Sequence, residues 1–126
     1  IAMFLDVFFH LFINPAIVII HSFTPEMGGF KRPWHVGVLW DGDTRIAPRL
    51  LDALRRRDDL HVGDNEPYSG KSENEFTLTY HTAARDLPRV SLEIRQDLIG
   101  DSAGCRKWAD ILIPAFGYAL KLPGYD

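Results

Sequence analysis

The sequence predicts an α/β domain in which a mixed, largely parallel sheet is flanked by helices. Three observations carry this. Apolar, mostly β-branched or alternating runs at residues 16–20, 35–40 and 90–94 read as strands. Ile46, Leu50, Leu51 and Leu54 recur at helical spacing between them. The joining segments are short, and strands alternating with helices are the pattern of a layered α/β sheet.

Residues 2–12 are apolar nearly all round, as in a helix packed within a large core, and Asn14-Pro15 ends it. Residues 16–20 follow as a continuous apolar run, which predicts a strand covered on both faces. Residues 24–34 hold two Pro, two Gly and Lys31-Arg32, so they read as a loop. A second strand runs over 35–40 and stops at Asp41-Gly42-Asp43. Asp43 or Thr44 is placed to cap the next helix, which ends at Asp58-Asp59. Residues 60–62 predict a short strand. Residues 76–85 fit no single pattern, although Leu78, His81 and Ala84 would share a helix face. A strand over 90–94 and a helix over 102–120, bent or restarted at Pro114, complete the chain. No repeat, low-complexity tract or linker divides it, so residues 1–126 form one domain.

Composition narrows the partners. At 46% hydrophobic and 25% charged, the chain matches an ordinary globular domain. The net charge of −3 and scattered basic residues give no phosphate-tracking surface, so no nucleic-acid partner is expected. Arg55-Arg56-Arg57 is followed at once by Asp58-Asp59 and reads as a solvated helix end. Cys105 is the sole cysteine, which excludes an internal disulfide or a thiolate metal cage and fits a reducing, cytoplasmic setting. Asp6, His10 and Asn14-Pro15 interrupt the apolar start, where a membrane span needs about 20 apolar residues. No membrane partner is expected.

Three apolar runs switch abruptly to polar tips: Ile20-His21-Ser22-Phe23-Thr24-Pro25, Gly63-Asp64-Asn65-Glu66-Pro67-Tyr68-Ser69-Gly70, and Glu93-Ile94-Arg95-Gln96-Asp97. Ligands of open α/β sheets gather at the carboxyl ends of strands, so the three tips predict one shared polar site.

Within it, His21 is either a satisfied structural residue or a metal ligand. No second ligand stands three or four positions away. Glu93, between Leu92 and Ile94, must face a partner or a cleft, because burying a lone carboxylate is costly. Two readings stay open for it: a structural pair with Arg95, which shares its strand face, or a general base beside a metal.

Asn65, Glu66 and Tyr68 combine amide, carboxylate and phenol in a Pro-stiffened loop, which either positions a polar substrate or is a plain turn. Arg32, Arg45 and Arg95 are candidates to clamp a carboxylate through paired N–H donors, each with a surface salt bridge as the plainer reading. His35 and His81 are possible proton donors or supports. His10 and His61 read as structural, and Trp34 and Trp40 as core or pocket wall.

Read in order, His-Ser-Phe-Thr-Pro from His21, Arg-Pro-Trp-His-Val-Gly-Val-Leu-Trp from Arg32, Asp-Thr-Arg from Asp43, Val-Gly-Asp-Asn-Glu-Pro-Tyr-Ser-Gly from Val62 and Leu-Glu-Ile-Arg-Gln-Asp-Leu-Ile from Leu92 form a pattern. It resembles the N-formylglutamate amidohydrolase family, over residues 16–120. The resemblance implies the C-terminal half of a zinc-dependent amide hydrolase with a zinc carboxypeptidase-like fold. His21 matches the position of the family's last zinc ligand, and Glu93 that of its general base. The other ligands are expected upstream, since no Ser-Pro-His-Ser-Gly-like motif occurs here. The residues present would then lack a complete metal site by themselves.

The implied reaction is removal of the formyl group from N-formyl-L-glutamate, or a similar N-acyl amino acid, giving glutamate and formate. Arg95, Arg45 or Arg32 would hold the substrate carboxylate, Asn65 and Tyr68 would shape the pocket, and histidine degradation is the natural setting. Another zinc amidase or exopeptidase on this scaffold is the nearest rival. A binding module that has lost its metal is the rival of another class, and a His and an acidic ligand upstream of Ile1 would tell it from the enzyme.

Overall fold

The computed structural model describes residues 15–68 and 86–126. The helix expected over 2–12, the ambiguous stretch 76–85 with His81, and His10 lie outside these residues.

Four strands form the main sheet: β1 (Ile17–Phe23), β4 (Val36–Leu39), β5 (Val62–Asp64) and β6 (Arg89–Arg95). β2 (Glu26–Met27) and β3 (Phe30–Lys31) form a small antiparallel hairpin, and helices α1 (Ala47–Arg55) and α2 (Ser102–Ala119) complete the elements. The order across the main sheet is β1-β6-β4-β5. β1 runs parallel to β6 and β4 parallel to β5, but β4 is antiparallel to β6, so the sheet is mixed.

The register assigns the two faces. Val90, Leu92 and Ile94 of β6, Val36 and Val38 of β4, and Val62 of β5 point to one side and are buried there. Against them lie Leu50, Leu51 and Leu54 of α1 and Trp108, Ile111, Leu112 and Ala115 of α2. Each Val, Leu or Ile side chain among them contributes about 1.5–3 kcal/mol on burial, so this face holds the domain together. Tyr118 clasps the two helices: Arg49 and Arg56 lie 4.1 and 4.6 Å from its ring centroid, and its hydroxyl donates to Asp52 Oδ2 at 3.0 Å.

Several expectations change. Among the described residues β1 is not covered on both faces: it is the outermost strand of the described sheet, α1 packs against β4 and β5, and Ile20 is 55% exposed. The strand also continues to Phe23, so His21 lies within it rather than past its end. Residues 24–34 contain a hairpin, made possible by Gly28 and Gly29, whose φ angles of 59° and 80° suit glycine.

Neither Asp43 nor Thr44 caps α1. Ile46 occupies the cap position without a side-chain bond, because the Asp43 carboxylate is spent on Arg45. β5 spans residues 62–64 rather than 60–62. Helix α2 passes through Pro114 unbroken; Pro114 and Asp110, one turn earlier, are both exposed, so the carbonyl that loses its partner faces solvent. Asp101, unremarked in the sequence, caps this helix by accepting from Gly104 N at 2.7 Å.

Candidate active site

The sheet face opposite the helices carries the chemistry. In parallel strands, residues paired in register project to the same side, and His21 of β1 is paired with Glu93 of β6. Adjacent strands lie roughly 4.8 Å apart. The row continues through Gly37 of β4, paired with Glu93, and Gly63 of β5, paired with Gly37. One line across the sheet therefore reads His21, Glu93, Gly37, Gly63. Glu93 is buried and His21 is exposed.

The two glycines explain where the Asn65–Tyr68 segment goes. A Cβ on Gly37 would overlap the Glu66 carbonyl oxygen, and one on Gly63 would stand 2.6 Å from it and 2.9 Å from the Glu66 Cβ. The chain thus rests directly on the bare backbone beside Glu93. Glycine inside a strand signals such an approach of another backbone, and Gly37 carried that signal unread.

The antiparallel step corrects the idea of three tips on one rim. The carboxyl ends of β1 and β6 share a rim, whereas that of β5 lies at the opposite one. Residues 65–68 cross the face to close the gap. At the far rim, Asn65 Oδ1 accepts from Trp40 N at 2.9 Å and Asn65 N donates to Val38 O at 2.8 Å. Glu66 then lies over the glycines, and Tyr68 arrives beside Arg32, whose Cζ is 5.0 Å from its ring centroid. Asn65 holds a φ of 53°, a conformation Asn tolerates better than most residues.

The three arginines differ sharply. Arg45 is held by Asp43, at 2.8 Å, and by Asp86, at 3.1 Å. Burial pushes the Asp43 carboxyl up, but bonds from Arg45 and Arg89 outweigh it and leave the carboxyl below its usual range. Arg95 pairs with Asp97, not with Glu93: Nε lies 2.7 Å from Oδ1, and this bond lowers the Asp97 pKa. Arg32 alone of the three is buried, and its bonds go to Thr24 and Met27.

His35 is engaged with its neighbour. Its Nδ1 accepts from His61 N at 2.8 Å, and its own N donates to His61 O at 2.9 Å. Burial, then the charges of Arg95 and His61, lower its pKa, so the ring is neutral and suits a support better than a proton donor. Trp40 Nε1 donates to Asp64 Oδ1 at 2.7 Å, and Trp34 packs with its ring centroid 6.5 Å from that of His61.

His21 suits one position of a metal site: its imidazole is exposed and makes no hydrogen bond among the described residues. A catalytic zinc takes three protein ligands. Among the described residues no group of three His, Cys, Asp or Glu side chains surrounds one point. A depression of about 640 Å³ lined by Arg57, Ser102, Arg106, Lys107 and Asp110 lies at the helical layer and contains none of the candidates.

The site defines a class: a mixed α/β domain presenting an imidazole and a carboxylate in register on one sheet face, beside a loop that crosses that face over two glycines. The chain matches the N-formylglutamate amidohydrolase family over residues 5–100 and belongs to that family. The match begins at residue 5, before β1, so it takes in most of the apolar stretch there, and it ends at residue 100, short of the expected 120. Among solved structures, the chain resembles that of a gene product from Agrobacterium tumefaciens, at 30% identity and a TM-score of 0.84. The alignment covers 94% of this chain and 47% of that one, so the chain spans about half the length of its structural relative. No curated protein matches. No helix among the described residues is long and apolar enough to cross a membrane.

Proposed function

We propose that the protein is a zinc-dependent amide hydrolase that removes the formyl group from N-formyl-L-glutamate, or a similar N-acyl amino acid, to give glutamate and formate. The single observation that supports this most is the in-register pairing of His21 with Glu93 on one sheet face, in a chain of this family. His21 would hold zinc together with ligands from beyond the described residues. Zinc, when bound there, supplies Lewis-acid polarisation of the amide carbonyl.

The remaining work falls to the chain's own groups. Glu93 takes a proton from water as the water oxygen attacks the formyl carbon, and delivers it to the nitrogen as the C–N bond breaks. Formate leaves with the new oxygen, and the amine of glutamate keeps the relayed proton. The 65–68 segment roofs the glycine end of the row, where Asn65 and Tyr68 shape the pocket. A cytoplasmic setting and a place in histidine degradation accompany this reading.

The test is formate release from N-formyl-L-glutamate by the full-length, zinc-loaded protein. An intact substrate after prolonged incubation sinks the assignment. Another zinc amidase activity on this scaffold is then read from release of other acyl groups.

A further inference from the structure

We infer that the contact between His35 and His61 is a pH-sensitive clasp, which holds β5 and the segment crossing the sheet in place near neutrality and releases them in acid. It operates whether or not the hydrolase reading above is correct.

Two hydrogen bonds tie these residues, and they differ in kind. His35 N donates to His61 O at 2.9 Å, a main-chain rung at the entry to the β4–β5 ladder. His35 Nδ1 accepts from His61 N at 2.8 Å, so this second bond needs an uncharged ring with its proton on Nε2. An imidazolium carries a hydrogen on both nitrogens. Protonation of His35 therefore aims one donor at another, and the second bond is lost.

Its position decides what that loss does. β5 is three residues long, stands at the edge of the described sheet beside β4, and runs directly into Asn65. His35 precedes Gly37 by two residues, and His61 precedes Gly63 by two. These are the glycines on which Glu66 rests. The clasp thus lies one strand repeat, roughly 6.8 Å, from the seat of the crossing segment. Short edge elements with few hydrogen bonds open before the body of a sheet. Losing a bond at the entry to β5 loosens the strand and, with it, residues 65–68.

The charges around the ring set the direction. Burial, Arg95 of β6 and His61 oppose a positive charge on His35, whereas Asp59, ahead of β5, and Asp97, after β6, favour one. Both carboxylates are already engaged, Asp59 by Arg57 and Asp97 by Arg95. The opposing groups prevail, so the clasped ring holds a proton less tightly than a free one. The clasp is then complete above about 6.5 and weakens as pH falls below that value.

The experiment is hydrogen–deuterium exchange of the full-length protein at pH 7 and pH 5, with labelling times scaled to the intrinsic rate at each pH. Protection over residues 61–66 is expected to fall by about 5- to 10-fold at pH 5, while the β1–β6 ladder keeps its protection. In His35→Asn, a side-chain oxygen stands near the place of Nδ1, accepts from the same N–H and cannot be charged. Residues 61–66 of this variant should stay protected at both pH values. Equal wild-type protection of 61–66 at the two pH values overturns the clasp, and so does an undiminished acid loss in His35→Asn. A loss shared by every strand of the wild type also overturns it, because the opening is then global. Should His35→Asn not fold, the His61 amide proton resonance of the wild type decides. A shift with its midpoint below about 6.5 supports the clasp, and a resonance that ignores pH refutes it.

Discussion

His21 and Glu93 face each other across the β1–β6 ladder, paired in register and projecting to the same side of the sheet. Neighbouring parallel strands hold such a pair at a spacing set by backbone hydrogen bonds rather than by side-chain contacts. The geometry therefore survives substitution of either side chain, and the two roles can be separated by mutation.

Glu93→Gln in the full-length protein keeps shape and removes the proton acceptor. Turnover of N-formyl-L-glutamate is expected to fall by about 10²- to 10⁴-fold, with zinc content unchanged by metal analysis. His21→Ala should instead lower the zinc content. A Glu93→Gln protein with wild-type kcat contradicts the assigned base.

Gly37→Ala forces a methyl group into the Glu66 carbonyl and should destabilise the protein by about 1–3 kcal/mol in urea titration, with a rise in KM as the crossing segment lifts. Gly100→Ala is the control: the added Cβ meets only carbonyl oxygens at 3.8 and 3.9 Å, so a change within about 0.5 kcal/mol is expected.

His35 has a lowered pKa in the folded protein, from burial first and the neighbouring Arg95 second. The unfolded chain then binds the proton first as pH falls below about 6.5. Stability should be full above that value and decline below it, as far as the folded pKa. His35→Asn, which cannot be charged, should flatten this decline when urea midpoints are compared between pH 7 and 5.

Asp43 joins the approach to α1 to the start of β6, accepting from Arg45 Nε at 2.9 Å and from Arg89 N at 3.2 Å. Its carboxyl is lowered in the fold, so its contribution is present above the unfolded value of about 3.9 and lost as pH falls through the folded one. Asp43→Asn should cost about 2–4 kcal/mol at pH 7, and the gap to wild type should close in strong acid.

Much of this architecture was legible from residue order. Period-two alternation in residues 89–95 put Leu92 and Ile94 on one face and Glu93 and Arg95 on the other, in keeping with the strand register and with the place of Leu92 and Ile94 in the core. The stripe Ile46, Leu50, Leu51, Leu54 marked α1 correctly because helical spacing is local. Strand direction is not local: nothing in the sequence of β4 says that it runs against β6, and so the rim of β5 was misplaced. Arginine partners were half visible. Asp97 follows Arg95 by two residues, whereas Asp86 reaches Arg45 across 41 positions, a contact that only the folded chain creates.

The crossing of residues 65–68 over Gly37 and Gly63 separates two tasks within one short polypeptide. The hydrophobic layer depends on the opposite side of the sheet, so this span can be exchanged between homologues without repacking the interior, provided both glycines are retained. Under the proposed function, substrate choice is then expected to change when this four-residue bridge is swapped, with the supporting scaffold left as it is.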